Sequence, residues 1–564
     1  MPHIVGKKIN GQTYYYLREM ARVDGKPKVV SQTYLGKADD IAAAVAGSGP
    51  AGVEPERSRH LAFGDLAAVW SVLQRLGVAD IIDSVVGPRR ADAAASVGTY
   101  LALAITNRVV DPRSKRGFAD WWSGTAGDRL VKLPAAALDH RRFWDAMDNL
   151  DENALRTAER QITARMVSEF GLDLSALALD MTNFATFIDS TNSRAPIAQR
   201  GHAKQKRTDL RLIGLGLVVT RDGGVPVASH SYRGNAPDVT QFPTLIDELT
   251  ARYVQAGGDR AGLTVVFDAG QNSAGNFARL SAAGLHYVGS LPPAEHPELL
   301  AIDRRRYRTV DAEHFPGLTA HATRAHALGA ERRVICTHSA TLHDAQTRGF
   351  DQTLAKATRA LDEIATTLER GHGRRDRTAL QAAVEKILRP RWIRRVLTVT
   401  LTGEQPNDLR LTYALDAAAR RALEREIFGK RLLVTDHEHW SIAEVVAGYR
   451  SQSEAEASFR QLKDVHVVGF SPMFHWTDSK IRVHAFYCVL ALAVVHLMRR
   501  QAAAADLDLS VRELLDTLAG IEETVLLYPS TGGRPRARRM LTERSSTQQQ
   551  LFDLFNLGRY APTS

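Results

Sequence analysis

Cysteine is nearly absent: Cys336 and Cys488 are the only two in 564 residues. Two thiols so far apart exclude a disulfide framework and a Cys-x-x-Cys zinc or redox motif, and a reducing cytoplasm suits them best. Long apolar runs are also missing. The most apolar stretch, Ala485 to Met498, spans 14 residues and contains His496. Crossing a bilayer takes about 20, so a buried core helix and no membrane partner are expected. Met1 to Lys8 has charges with no apolar stretch after them, unlike a secretory signal. No internal repeat or low-complexity tract occurs. What is present is 44% apolar residues, enough for sizeable cores, and a length that allows three or four domains at about 150 residues each. The 73 Lys and Arg exceed the 63 Asp and Glu by 10, with a pI near 9.5, which permits a polyanionic partner without requiring one.

Tyr14 to Leu35 reads as a hairpin around Asp24-Gly25. The glycines and proline of Ala42 to Arg57 mark a linker. From Phe63 to about Phe170 apolar residues recur at helical spacing, as in Leu66, Val69, Trp70 and Leu73. With Gly77 as a turn, Leu66 to Asp83 could form a helix-turn-helix. Strands are expected at Ser175 to Phe187, Leu210 to Thr220 and Val225 to Tyr232, then a helix from Val239 to Gln255, a strand Leu263 to Phe267, a helix Ser273 to Ala283 and a strand His286 to Leu291. This order means an antiparallel meander continued in parallel. The rhythm breaks for about 140 residues and resumes with a strand at Arg431 to Thr435 and helices from Ser441, making the middle an insertion.

Asp180 interrupts the apolar run Leu177-Ala178-Leu179-Asp180-Met181, and Asp268 ends Val265-Val266-Phe267-Asp268. A carboxylate in or at the end of a core strand needs compensation, and a divalent cation supplies it; capping a turn or pairing with an Arg are the plainer alternatives. A third acid, Glu456, shares a helical face with Arg460 and Lys463, while Phe459 and Leu462 turn to the core. A capping box from Ser453 and a surface ion pair between Glu456 and Arg460 would explain the same residues without chemistry.

This ordered set resembles the DDE transposases of bacterial insertion sequences, in the group with the signature Tyr-x-x-Arg-x-x-x-Glu-x-x-x-x-x-x-Lys. Tyr449, Glu456 and Lys463 fall in register with it, and Gln452 stands in the Arg position, where Arg450 or Arg460 could substitute. The resemblance extends to Gly201-His202-Ala203-Lys204-Gln205-Lys206-Arg207, Tyr232-Arg233-Gly234-Asn235 and Phe474-His475-Trp476, and covers most of the chain. It implies an α/β fold: a ribonuclease H-like catalytic core interrupted by an α+β insertion domain, with N-terminal β-hairpin and helical regions and a C-terminal helical region. The corresponding divisions are a hairpin module at 1–41, a linker at 42–58, a helical region at 59–170 considered for DNA binding, the first part of the core at 171–292, the insertion at 293–430, the second part with the third acid at 431–500, and a helical, basic segment at 501–564.

The resemblance further implies catalytic and metal-binding roles for Asp180, Asp268 and Glu456. They would hold two Mg2+ or Mn2+ ions, with Asp180 bridging them, for DNA cleavage at terminal inverted repeats and strand transfer into target DNA. Tyr449, Arg450, Arg460, Lys463, Lys204, Lys206 and Arg207 are the DNA-binding candidates, within or beside a basic stretch from Arg194 to Arg211. Further basic clusters stand at Arg534 to Arg539 and around Trp392, whose ring could stack on a displaced base or belong to the core. His202 and His475 lack the helical His pairing of a zinc site. A homodimer on double-stranded DNA, in a bacterial cytoplasm at the nucleoid, follows by analogy. A DNA-end-binding protein without catalysis, or a nuclease sharing the fold, are the alternatives.

Overall fold

The computed structural model describes residues 2–9, 11–23, 26–45, 55–88, 93–201, 209–255, 262–370, 376–405, 408–528 and 536–563. The chain forms two compact units, one of Met1–Ala68, Ala119–Lys132 and Leu515–Ser564, the other of Val69–Phe118 and Leu133–Leu514.

In the smaller unit Pro2–Ile9, Gln12–Val23 and Lys26–Gly36 form an antiparallel sheet. The expected hairpin is thus two strands of three, and its turn, Asp24-Gly25, lies outside the described residues. The start of the expected linker is helical, Ala38–Val45, because alanines follow Asp39 and Asp40 in the first turn, where acidic side chains suit the helix dipole. A second sheet places Glu522–Tyr528 between Arg57–Ala62 and Arg536–Leu541, so the C-terminal segment is not purely helical. Glu523 is fully buried there and takes both Arg129 and Arg539. Arg539, one of the C-terminal basic cluster, is therefore a structural partner.

The larger unit is built on a nine-stranded sheet. Its first five strands are β1 (Ala176–Thr186), β2 (Arg211–Thr220), β3 (Pro226–Arg233), β4 (Thr264–Val266) and β5 (His286–Leu291). They lie in the order β3-β2-β1-β4-β5, with the first three antiparallel and β4 and β5 parallel to β1. Helices α1 (Asp238–Gln255) and α2 (Ala274–Ala283) make the crossovers. An aromatic chain packs them to the sheet: Phe242 to Phe267, Phe267 to Phe277 and Phe277 to Tyr287, with ring centres 5.1, 5.5 and 4.9 Å apart.

The segment 293–430 is not set apart from this sheet. Its strands β6 (Arg308–Thr309), β7 (Leu318–Ala327) and β8 (Ala330–Ser339) extend it, joined to β5 through β9 (Lys430–Thr435), which is antiparallel to both neighbours β8 and β5. A lone hairpin would leave unpaired edges in water, and pairing with the sheet satisfies them. The segment also carries the helices Ala340–Glu369, Arg377–Leu388 and Ala417–Ile427, and a separate two-stranded ribbon joins Leu397–Thr402 to Arg410–Leu415.

On the face opposite α1 and α2 lie α3 (Ile442–Arg450), α4 (Gln452–Lys463) and α5 (Asp478–Ala504). Val445 and Val446 of α3 share a core cluster with Val266, Val288, Ile335 and Leu433. Helix α5 is long and apolar enough to cross a membrane by composition, and nearly all of its most apolar stretch is buried within the protein, as a core helix would be. The helix Gly64–Leu76 is buried along most of its length and is followed, after Gly77 in the left-handed region, by Val78–Val86, whose exposed positions include Asp80 and Ser84 rather than cations.

Candidate active site

Strand β1 is covered on both faces, and of its eleven positions only Asp180 and Asn183 are not fully buried. Its parallel register with β4 pairs Ala176 with Thr264, Leu177 with Val265 and Ala178 with Val266. Two residues further on, that register sets Asp180 beside Asp268, whose backbone is still extended at φ −90°, ψ 176°. Because side chains alternate along a strand, Asp180 shares a face with Ala178, and Asp268 with Val266. Paired strands lie about 4.8 Å apart, and Asp268 follows the end of β4 as the N-cap of the turn Ala269–Gln271.

The face they share is the one under α3 and α4. Thr182 and Phe184, in phase with Asp180, both meet Lys463: its Nζ donates to Thr182 Oγ1 at 3.1 Å and lies 5.3 Å from the Phe184 ring centre. Met181 turns the other way, toward Gly216 and Leu245 of α1. At the N-terminal end of α4, Gln452 Nε2 donates to Leu179 O at 3.0 Å. The helix is therefore pinned to β1 at both ends, by residues that flank Asp180 on the strand. Glu456 is one turn after Gln452 and two before Lys463, on the same stripe.

Glu456 is exposed and makes no hydrogen bond or ion pair among the described residues, including none with Arg460. The capping box expected at Ser453 does not form. Ser453 Oγ donates instead to Arg450 O at 2.7 Å, and the real box is Ser441 with Glu444 at the start of α3. Ser453 cannot cap because the chain has already turned into α4 at Gln452. Asp268 caps a short turn, its Oδ1 accepting from Gly270 N at 2.8 Å. Asp180 Oδ1 accepts from Met181 N at 2.7 Å. Three carboxylates make an all-oxygen donor set, which fits a hard divalent cation and not a thiolate-seeking metal.

The cationic candidates divide by what they touch. Arg460 is exposed, and Arg450 is exposed with its guanidinium 4.5 Å from the Phe315 ring centre. Tyr449 is half-buried against the core cluster, with the Arg431 guanidinium 5.1 Å from its ring centre. Lys204, Lys206 and Arg207 lie outside the described residues. Arg211 is committed to structure: it donates to the carbonyls of Ala198, Asn192 and Ala195 at 2.6, 2.7 and 2.8 Å. Trp392 is partly buried, 5.4 Å from the Phe428 ring, with the Arg391 guanidinium 4.3 Å from its own ring centre.

Sequence reasoning missed the work of Gln452. It is 6% exposed, and it ties α4 to the residue next to Asp180. The Gln in the signature's Arg position was its only signal. Also unforeseen is the clamp on the β2–β3 turn, where Ser458 Oγ donates to Gly224 O at 3.3 Å and the His496 ring lies 2.6 Å from the same oxygen. Burial holds the His496 pKa down at about 3.

His475 is no metal ligand in waiting: it packs beside His484, ring centres 5.2 Å apart, and burial lowers its pKa to about 3. His286, Asp436 and His437 come together elsewhere in this unit, at the start of β5 and the end of β9. His286 Nδ1 lies 3.0 Å from Asp436 Oδ2, and His437 stacks on both His286 and Trp440, ring centres 4.3 and 3.7 Å apart. Ligand atoms of the three residues lie within 4.8 Å of one another, and His437 Nε2 lies 2.8 Å from Thr264 Oγ1.

The family model described as "Transposase DDE domain" matches residues 185–492, more than half of the chain, beginning just after Asp180. No curated protein matches. Among solved structures the chain is similar to a piggyBac transposase synaptic complex with hairpin DNA, at 10% identity and a TM-score of 0.37, covering 82% of each chain. That likeness is too distant to carry an argument. The extent of the family match does carry one, and the chain belongs to the DDE transposase family, whose members act in transposition and generally use divalent metal ions.

Proposed function

We propose that this protein is an insertion-sequence transposase with a ribonuclease H-like core, which cuts DNA at terminal inverted repeats and transfers the freed strand into target DNA. The observations that support the reading are the parallel pairing of β1 with β4, the strands that lead to Asp180 and Asp268, and the ties of α4, which carries Glu456, to Leu179 and Thr182 of β1. The strand order β3-β2-β1-β4-β5 supports the core assignment.

In this reading Asp180, Asp268 and Glu456 hold Mg2+ or Mn2+, two ions in all. The metal, when bound, supplies an activated oxygen nucleophile and charge stabilisation at the leaving oxygen. The protein's own part is placement. Gln452 and Lys463 fix α4, and hence Glu456, against β1. Exposed Arg450 and Arg460 offer charge to the phosphate backbone, as would Lys204, Lys206 and Arg207, with Tyr449 bracing α3. Lys463 lies next to the acids through Thr182 and serves both positioning and backbone contact. Pairing of two DNA ends calls for at least a homodimer, working at the nucleoid in the cytoplasm.

The test is Mg2+-dependent nicking and joining of a duplex bearing the element's own ends. Wild-type protein cuts and joins, while Asp180→Asn, Asp268→Asn and Glu456→Gln bind the duplex without cutting. Binding by wild type with no cleavage at any divalent cation would leave a DNA-end-binding protein. Cutting without joining would leave a nuclease.

A further inference from the structure

Among the described residues the larger unit exposes few large apolar side chains, and three of them are aromatic and adjacent: Phe187 at 40%, Phe474 at 61% and Trp476 at 52%. The Phe187 and Phe474 rings lie 5.7 Å apart, and the exposed Arg194 guanidinium sits 4.5 Å from the Trp476 ring centre. Clustered apolar exposure on a soluble surface marks a place of contact.

The backbone beneath these rings is tied down. Phe187 N donates to Met473 O at 2.8 Å, Asn192 Nδ2 donates to Trp476 O at 2.8 Å, and Asp478 N donates to Arg194 O at 3.2 Å. Between the two exposed rings His475 turns inward against His484, so the alternation Phe474 out, His475 in, Trp476 out is anchored from below. Rings held out by a fixed backbone form a preorganised platform rather than a collapsed loop.

We infer that Phe187, Phe474 and Trp476 form a stacking platform for unpaired nucleobases of the DNA strand engaged at the acids, with Arg194 beside it for the phosphate. Two observations choose this occupant over an apolar protein partner. The patch carries a cation, the exposed Arg194 guanidinium against the Trp476 ring. It also continues β1, the strand that carries Asp180. Phe187 lies seven residues past Asp180, roughly 23 Å at the rise of a strand and so about seven nucleotides of a DNA strand. The inference rests on the proposed DNA-cleaving function.

The test compares binding of an oligothymidylate with that of an abasic strand carrying the same number of phosphates, measured by fluorescence anisotropy alongside a duplex of equal length. Full-length wild type prefers the thymidylate by roughly ten- to hundredfold, the scale of one or two stacked bases. Phe474→Ala/Trp476→Ala binds both strands equally and keeps its duplex affinity, which also reports that it is folded. Trp476→Phe restores much of the preference, and Phe187→Ala lowers it. Equal binding of both strands by wild type, or a preference that survives the double substitution, overturns the inference while leaving the transposase reading intact. Loss of duplex affinity in step with strand affinity overturns it as well, because the patch would then be a general binding element. Failure to bind any DNA overturns the DNA reading itself.

Discussion

Gln452 and Glu456, one helical turn apart, have opposite jobs. Gln452 is buried and spends its amide N–H on Leu179 O, whereas Glu456 is exposed and spends its carboxylate on nothing the described residues offer. Their substitutions should separate. Gln452→Ala removes the donor from a buried carbonyl and is expected to cost about 1 to 2 kcal/mol, read as a lower urea midpoint at unchanged slope, with cleavage needing a higher Mg2+ concentration because α4 is freed at one end. Glu456→Gln is expected to hold stability within about 0.5 kcal/mol, as exposed substitutions do. Its cleavage rate should fall on the order of a thousandfold, about 4 kcal/mol of lost transition-state stabilisation. If Glu456→Gln cuts normally in single-turnover assays, the third acid has been misassigned.

At the scale of elements, two close contacts set what the scaffold tolerates. Gly98, in the helix Val97–Val110, lies so near Val78–Val86 that an added Cβ would stand 2.0 Å from Ala79 O. Alanine is the better helix former by about 1 kcal/mol, yet a backbone oxygen cannot move aside, and overpacking costs about 1 to 3 kcal/mol. Gly98→Ala is therefore expected to destabilise, and a raised melting temperature would refute the packing reading. In the smaller unit, Glu523 is fully buried between Arg129 and Arg539. Glu523→Ala takes a charged acceptor from the mostly buried Arg129 and from the solvent-exposed Arg539, and should cost about 1.5 to 3 kcal/mol. The loss should appear as early protease cleavage within Leu515–Ser564, with the larger unit retaining its protection.

For the whole molecule, the buried histidines predict an acid limit. His496 is 1% exposed, and its folded pKa of about 3 lies below the ordinary 6.5. The unfolded chain therefore binds the proton first. The neutral ring's contribution is complete above pH 6.5 and is lost as pH falls from there toward 3, by up to about 1.4 kcal/mol per pH unit for each such group. His484, 2% exposed and held well below 6.5 by burial, acts in the same direction. The urea midpoint should fall steadily below pH 6, and His496→Gln should flatten that slope. A midpoint independent of pH between 4 and 6 would mean that these rings are protonated in the folded state.

Periodicity and punctuation located most elements of the larger unit, because β1 to β5 and α1 and α2 are made by local signals: apolar runs broken by Asp222-Gly223-Gly224 or ended at Asp268. Asp180 and Asp268 drew notice for the same reason, since a carboxylate in or at the end of an apolar run is conspicuous. Pairings between distant segments were not legible. Arg57–Ala62 becomes a strand because Glu522–Tyr528, more than 450 residues away, completes its hydrogen bonds. Segment 293–430 reads as an insertion along the chain, yet β6, β7 and β8 join the core sheet because β9 offers an edge to pair with. Sequence alone determined which residue types were available and that three acids stood in order. Tertiary structure decided that Gln452 and Lys463 would hold α4 over β1, that Arg211 would serve the backbone instead of a ligand, and that three aromatic rings would stay in water. Local periodicity records only what each residue prefers among its neighbours, whereas those outcomes depend on which distant groups pay the cost of desolvation by meeting.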